Sequence, residues 1–441
     1  MHGKYLSPLF VVALLAACDG GPSITATADA AVDAASPMDT AALPDATDVS
    51  VESDALPYDA GAPPPCEGEA LVRSIGSATV GYSDGEVAGL VPYRGGFLAL
   101  WREGALRGVG TLDGSVPGRD QITLLTVDPN GAVQREPTVL RSTAGTRIDL
   151  STPTLTRAGD GALVLYRESV GSPGDADFTT RVIAAPLDSS GAPLGVMPLL
   201  TGYSDPLATG IASGVTLGLA ARVVAVLDGG TAVVAPGAFR VRPGGELTAP
   251  AVDVTAFIPA SAQDVVLRPD GDAAAVLYRR GADVYVVRFD QGGLIDNAGP
   301  RVTHNLLLPS IDDGAVLADG VIVAWSEELN GQSVVATAVL GLDGTLRARR
   351  VIEQFVGDLP PVTLVPSHGG ATALWLRDGL LRGATIQPDG VVRAAFDGPR
   401  ILEGGGRIVA VGNGRRVSAI VQTGPRGRRS VAFTRFCIPV P

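Results

Sequence analysis

The chain has little histidine, lysine and cysteine, and the shortage of histidine and cysteine excludes several kinds of metal site. Its 441 residues include three histidines, three cysteines and a single lysine, Lys4. One histidine, His2, lies at the N-terminus, and the other two, His304 and His368, are too far apart in the sequence to form a histidine-rich metal site. No Cys-x-x-Cys pair is present. The chain also has no Walker loop and no Gly-x-Gly-x-x-Gly turn between a strand and a helix. We therefore expect no cofactor and no metal centre, and we assign no catalytic residue.

The N-terminal residues have the layout of a secretory signal peptide. Lys4 supplies a positive charge, and residues 9–17 form an apolar run that is too short to span a bilayer. The run ends in Leu15-Ala16-Ala17-Cys18. This tetrapeptide resembles the lipobox of bacterial lipoproteins, in which the cysteine becomes the lipidated N-terminus. The resemblance implies a signal peptide over residues 1–17, a lipid on Cys18 and a location in the bacterial cell envelope. It leaves open which membrane and which face carry the protein.

Residues 18–65 are rich in alanine, proline and aspartate and read as a linker. The segment contains nine acidic residues and no lysine or arginine, and its apolar residues follow neither a helical nor a strand period. Such a composition predicts a disordered tether with a reach of roughly 40 Å. The tether also accounts for most of the net charge of −12, because residues 66–441 hold 33 arginines against 37 acids. We expect no nucleic-acid partner for so acidic a chain.

The remaining residues, 66–441, contain a repeat. A short apolar run recurs seven times and ends in a marker residue, which is usually large. The steps between successive markers are 65, 61, 51, 47, 50 and 46 residues. Glycine-containing turns precede and follow most runs, so each unit reads as four antiparallel strands. This spacing predicts an all-β, seven-bladed β-propeller, with six or eight blades as the alternative. The markers are Trp101, Tyr166, Leu227, Tyr278, Trp325, Trp375 and Val421.

The first and last units are incomplete in complementary ways. The last unit stops after its third strand, and an extra strand, residues 69–75, precedes the first unit. In many propellers an N-terminal strand completes the final blade and closes the ring. Cys66 precedes the extra strand and Cys437 follows the last one, so their antiparallel pairing would bring the two cysteines together. We predict a Cys66–Cys437 disulfide, which an exported protein permits.

Charged residues recur just past several markers. Because the connections between second and third strands share one face of a propeller, these residues are expected to form a mixed-charge ring around the channel. The ring is a candidate binding face for a polar or peptide ligand, although charged strand ends can also serve only solubility. Carboxylate pairs such as Asp312–Asp313 and Asp270–Asp272 are further candidates for weak Ca²⁺ binding. The candidate face consists of Arg102, Glu103, Arg167, Glu168, Arg279, Arg280, Glu327, Glu328, Arg377 and Asp378.

Two functions fit these features. The first is a monomeric, membrane-anchored module that binds a protein, peptide or glycan without catalysing a reaction. The alternative is an exported hydrolase or lyase that resembles a glycosidase and uses carboxylates such as Glu103, Glu168, Glu327 or Glu328 at the channel mouth. Fold alone decides neither. A carboxylate pair in an open channel favours the enzyme, whereas a face whose charges are paired with one another favours binding.

Overall fold

A computed structural model describes most of the chain after residue 69. The described residues are 70–77, 86–94, 96–103, 120–143, 148–171, 178–225, 231–289, 301–303, 308–367, 370–393, 395–401, 406–423 and 430–438. The expected signal peptide, the lipidated Cys18, the tether and Cys66 lie outside these ranges. Within them, no helix is present that could cross a membrane.

The described residues form an all-β fold with seven sheets arranged as the blades of a propeller. Strand β1 (Leu71–Ser77) comes first in the sequence. Blade 1 consists of β2 (Glu86–Tyr93), β3 (Gly96–Glu103), β4 (Gln121–Val127) and β5 (Thr138–Ser142). Blade 2 consists of β6 (Ile148–Leu150), β7 (Thr154–Ala158), β8 (Gly161–Val170), β9 (Thr179–Leu187) and β10 (Met197–Thr201). Both β6 and β7 pair with β8 and together take the place of a first strand, so β8, β9 and β10 are its second, third and fourth strands. Blade 3 consists of β11 (Tyr203–Gly210), β12 (Thr216–Ala225), β13 (Thr231–Val241) and β14 (Val252–Asp253).

The other blades follow the same order. Blade 4 consists of β15 (Gln263–Asp270), β16 (Ala273–Arg280), β17 (Asp283–Phe289) and β18 (Arg301–Thr303). Blade 5 consists of β19 (Asp313–Val316), β20 (Gly320–Leu329), β21 (Gln332–Gly341) and β22 (Leu346–Phe355). Blade 6 consists of β23 (Thr363–Ser367), β24 (Gly370–Arg377), β25 (Leu380–Ile386) and β26 (Phe396–Arg400). Blade 7 combines β27 (Ile408–Asn413), β28 (Arg416–Thr423) and β29 (Ser430–Cys437) with β1.

Local sequence explains the turns within each blade. In blades 1 and 2 the turn between the third and fourth strands starts with an aspartate. The carboxylate of Asp128 accepts hydrogen bonds from the N–H groups of Asn130 and Ala132, and Asp188 binds its own turn in the same way. Gly131 follows with a φ of 73°, a left-handed conformation that glycine adopts without strain. Neighbouring strands are antiparallel, so these turns lie at one end of each blade, which we call the turn face. The connections between second and third strands lie at the opposite end, the loop face.

The large markers fill the space between blades, as predicted. Trp101, Tyr166, Trp325 and Trp375 are each at most 1% exposed. Each packs against the preceding blade; Trp101, for example, shares a core cluster with Phe433 of blade 7. Burial of such aromatic rings is a major source of stability for a fold built from short strands.

Blade 3 departs from the predicted pattern. Thr216 pairs with Val241 as Phe97 pairs with Val127 in blade 1, which makes Ala220 the equivalent of Trp101. The predicted marker, Leu227, was wrong by seven residues and lies outside the described ranges. The small Ala220 leaves room at the boundary with blade 2. Phe239 fills it from the next strand, lying so close to Gly218 that a Cβ there would sit 2.3 Å from the ring.

The ring closes through the innermost strands and through blade 7. The first strands of successive blades contact one another all the way round, including β27 with β2. Their packing is tight, because a Cβ on Gly89 of β2 would lie 2.3 Å from Cβ of Leu155 in β7. β1 pairs with β29 and supplies the fourth strand of blade 7, which confirms the predicted closure. The observed strand starts and ends two residues later than predicted.

The start of β1 lies beside the end of β29. Leu71 is paired with Arg435, two residues before Cys437. Because Cys18 and Cys66 both lie outside the described residues, the Cys66–Cys437 pairing stays a prediction.

Candidate functional site

The predicted charged residues do lie at the loop face of five blades. They occupy the ends of second strands β3, β8, β16 and β20, and the end of β24 with the turn that follows it. Each pair therefore comes from a different blade. The contacts of these side chains separate them into residues that hold the ring together and residues that face solvent.

Glu103 is a buried structural acid. It is 8% exposed, and its Oε1 accepts hydrogen bonds from the indole nitrogen of Trp101 at 3.0 Å and from the Thr123 hydroxyl at 2.9 Å. Its neighbour Arg102 donates to the carbonyl oxygen of Leu150 in blade 2 at 2.7 Å. A carboxylate with these fixed donors supports the aromatic marker of its own blade, and the adjacent guanidinium links blade 1 to blade 2.

The blade 2 pair is also bound to its neighbours. Arg141 of blade 1 donates from Nε to Oε1 of Glu168 at 2.5 Å, and the Glu168 side chain is only 9% exposed. Arg167 donates to Asp149 at 3.4 Å and to Asp205 of blade 3 at 3.3 Å. Burial raises the pKa of the Tyr166 hydroxyl, and the nearby Glu168 charge raises it further. This pair therefore connects three consecutive blades.

Blades 5 and 6 repeat the arrangement of an indole donating to a carboxylate. Trp325 donates to Oε1 of Glu327 at 3.0 Å, and Arg349 lies 3.3 Å from the same oxygen. In blade 6 the residue two places after Trp375 is an arginine, so the acid comes from another blade. Glu353 of β22 accepts from the Trp375 indole at 2.7 Å.

Arg377 completes this second arrangement. Its Nη1 donates to Oε1 of Glu353 at 2.6 Å, and Arg382 lies 3.2 Å from the same oxygen. Glu353 was not among the predicted residues. The available signal was the spacing Trp-x-Glu in blades 1 and 5, which Trp-x-Arg breaks in blade 6.

Three predicted residues remain exposed at the loop face. Arg279 is bound to Asp264 at 2.8 Å, but its neighbour Arg280 is exposed and has no ion pair with a described residue. Glu328 is likewise exposed without an ion pair in the described part of the chain. The side chain of Asp378 is 89% exposed, and its one ion pair among the described residues is with its neighbour Arg377, at 3.5 Å. These three side chains are free to meet a ligand.

A second group of acids lies where the innermost strands start, and sequence reasoning did not assign it a structural role. Oδ2 of Asp312 accepts from the N–H groups of Ser326 at 3.1 Å and of Val362 in blade 6 at 3.2 Å. Asp313 accepts from the N–H of Leu364 at 2.8 Å and is paired with Arg268 of blade 4. Burial raises the pKa of Asp312 to about 6, with a further contribution from the charge of Asp313.

Glu86 plays a similar part at the closure of the ring. It is paired with Arg407 of blade 7 and accepts from the Thr152 hydroxyl of blade 2 at 2.6 Å. Burial raises the pKa of Glu86, but the charge of Arg407 and the hydrogen bond from Thr152 lower it more, so the pKa lies below its usual value. The acids of the inner rim therefore bridge blades 7, 1 and 2 as well as blades 4, 5 and 6.

The described residues contain no group of three or more His, Cys, Asp or Glu side chains placed to hold a metal ion. One sequence motif also fails its structural context. Residues 81–85 read Gly-Tyr-Ser-Asp-Gly, which matches the letters of a nucleophile elbow. That motif requires a turn from a strand into a helix, whereas this segment, itself outside the described residues, leads into β2.

An apolar pocket lies between blades 3 and 4, away from the predicted face. Its empty volume is about 480 Å³. Leu217 and Leu219 line one side and Leu267 and Phe289 line the other, and Arg240 is its one charged lining residue among those described. The pocket contains none of the predicted carboxylates, so it offers no acid for the hydrolase alternative.

No family model and no curated protein matches the chain. Among solved structures it is similar to TolB from Acinetobacter baumannii at 15% identity, with 63% of this chain, 60% of that one and a TM-score of 0.35. It is similar to a Trypanosoma rangeli sialidase at 9% identity, over 79% of this chain and 53% of that one, with a TM-score of 0.39. It is similar to the Dos1 propeller at 9% identity, over 85% of this chain and 95% of that one, with a TM-score of 0.40. The chain spans 60% or less of the length of TolB and of the sialidase. At these TM-scores the similarities carry no conclusion about activity.

Proposed function

We propose that the chain is an exported lipoprotein whose propeller is a non-enzymatic binding or scaffold module. The observation that carries this proposal is how the loop-face charges are used. Glu103, Glu168 and Glu327 each accept bonds from fixed donors of the ring, so they are poorly suited to exchange protons with a substrate. The exposed Arg280, Glu328 and Asp378 stand on rigid strands or tight turns and suit recognition of a polar partner.

The proposed anchor is a lipid on Cys18, joined to the propeller by the acidic tether of residues 18–65. Two or three acyl chains give stable membrane attachment at about 0.8 kcal/mol per buried CH₂. The protein then resides in the bacterial cell envelope as a monomer. The lipid attaches it to the membrane, and the propeller binds a protein, peptide or glycan. The exposed charges favour a polar ligand.

The cysteines give a direct measurement of this architecture. We expect the mature protein to start at a lipidated Cys18 and to gain two mass units on reduction, as the Cys66–Cys437 bond opens. Intact-mass analysis of the membrane-extracted chain, with and without reductant, checks both. An unmodified Cys18 removes the anchor from the proposal, and a free Cys66 in the native protein removes the disulfide.

The binding function is tested with the same mature chain. We expect photo-crosslinkers placed next to Arg280 and Glu328 to capture a defined envelope component. Charge reversal, R280E with E328R, is expected to reduce capture about tenfold, because it inverts both exposed charges without touching an interblade bond. The matched control is R242E with D160R, which inverts two exposed charges on the turn face. Turnover of a glycan or peptide library that E328Q abolishes would instead establish the hydrolase alternative.

A further inference from the structure

Blade 7 carries three arginines on one side of its sheet. Leu71 of β1 is paired with Arg435 of β29, and Arg435 is paired with Ser418 of β28. Residues that are paired, or two apart on one strand, lie on the same side of a sheet. Arg73, Arg416 and Arg435 therefore share the side that faces blade 1. We call these three residues the arginine corner.

The arginine corner is short of negative charge. No described residue forms an ion pair with Arg73 or Arg416. Burial lowers the pKa of Arg435 and the charge of Arg416 lowers it further, while Asp128 of blade 1 opposes them. The Oδ1 atom of Asp128 is held in its own turn by two backbone N–H groups, and no ion pair joins Asp128 to Arg435 among the described residues. Three cations on one side of a sheet, of which only Arg435 has a nearby counter-charge among the described residues, favour an additional acidic partner.

The chain itself supplies such a partner at this position. Residues 55–69 lead directly into β1 and carry Asp59, Glu67 and Glu69 but no lysine or arginine. The start of β1 is paired with Arg435, and Arg416 is paired with Cys437, two residues further along β29. A short connection of this kind holds the acids near the arginines at millimolar effective concentration.

We propose that the acidic segment of residues 55–69 docks on the arginine corner of blade 7. The contact goes beyond the binding function proposed above, because it concerns where the tether leaves the propeller. Arg416 and Cys437 lie at the turn face, since β28 starts there. Docking fixes the tether at that face and leaves the opposite, loop face free for a partner.

Hydrogen exchange of the full mature chain, with its cysteines oxidised, tests the docking. At low ionic strength we expect amides in residues 55–69 to exchange about fivefold more slowly in the wild type than in R73Q/R416Q. These two arginines make no described polar contact, so their replacement leaves the blade intact. High salt is expected to remove the protection in the wild type, because it screens exposed ion pairs. The matched control R222Q/R242Q removes two exposed arginines of blade 3 that belong to neither the arginine corner nor the loop-face group, and it is expected to leave exchange unchanged.

A charge exchange separates docking from a general effect on blade 7. We expect R73E/R416E to lose protection and E67R/E69R added to that variant to restore it. Equal exchange in the wild type and R73Q/R416Q overturns the proposal, as does protection that salt leaves intact. Protection that falls on dilution also overturns it, because the segment then docks on a second copy. None of these results depends on whether the loop face binds a partner, so they leave the proposed function to its own test.

Discussion

Replacement of Trp375 by alanine is expected to lower the free energy of unfolding by about 4 kcal/mol. Trp375 is 0% exposed and belongs to the core cluster between blades 5 and 6. The substitution leaves a cavity the size of an indole at this boundary. It also deprives the Glu353 carboxylate of its 2.7 Å hydrogen bond from the ring nitrogen. Both losses act at the same boundary between blades, so we expect them to combine in one unfolding transition measured by chemical denaturation.

A phenylalanine at position 375 separates the two contributions. W375F retains an aromatic ring but removes the N–H donor, so we expect a loss of about 2 kcal/mol, between the wild type and W375A. A double-mutant cycle of W375F, E353Q and W375F/E353Q gives the coupling between the indole and the carboxylate, because the contacts of Glu353 with Arg377 and Arg382 are lost in both E353Q arms and cancel. If W375A costs less than about 1 kcal/mol, the markers do not sustain the boundaries between blades and the packing argument is wrong.

The sequence was sufficient to predict the blades wherever side-chain size follows the repeat. Trp101, Trp325 and Trp375 stand at one position of the unit, and glycine turns bracket the same strands. In blade 3 the rule fails, because Ala220 is small and a more apolar run follows it. Val224 in that run is 43% exposed. The missing ring comes from Phe239 on the adjacent strand. A search for a large residue within one apolar run cannot find a ring that another strand supplies.

The candidate site was predictable as a set of positions but not as a set of contacts. Arg102, Arg167 and Arg377 were found because charged residues recur after the markers. Their partners come from other blades or other strands, such as Glu353 for Arg377 and the Leu150 carbonyl for Arg102. A period in the sequence places residues on a face. Whether a charge there is paired depends on residues from remote parts of the chain, which only the closed ring brings together.

Asp312 is expected to make the wild-type protein less stable as pH rises from about 4 to 7. Burial raises its pKa in the folded protein to about 6, with Asp313 adding to the shift, whereas an unfolded aspartate titrates near 3.9. The folded state therefore holds this proton more tightly, and the stability it contributes is complete below the unfolded pKa. That contribution is lost as pH passes through the folded pKa. The difference corresponds to roughly 3 kcal/mol at neutral pH.

The variant D312N isolates this effect because it removes the charge and keeps an oxygen for both N–H donors, those of Ser326 and Val362. We expect D312N to be more stable than the wild type by about 2 kcal/mol above pH 7 and nearly equal to it near pH 4. The control D358N removes an exposed aspartate and is expected to change little at either pH. Denaturation curves at a series of pH values give the comparison. A constant difference between D312N and the wild type across that range contradicts the assignment, because an effect of titration must follow the proton. If the gain appears only as Asp312 ionises, then the buried carboxylate that joins blades 5 and 6 lowers the free energy of unfolding at neutral pH.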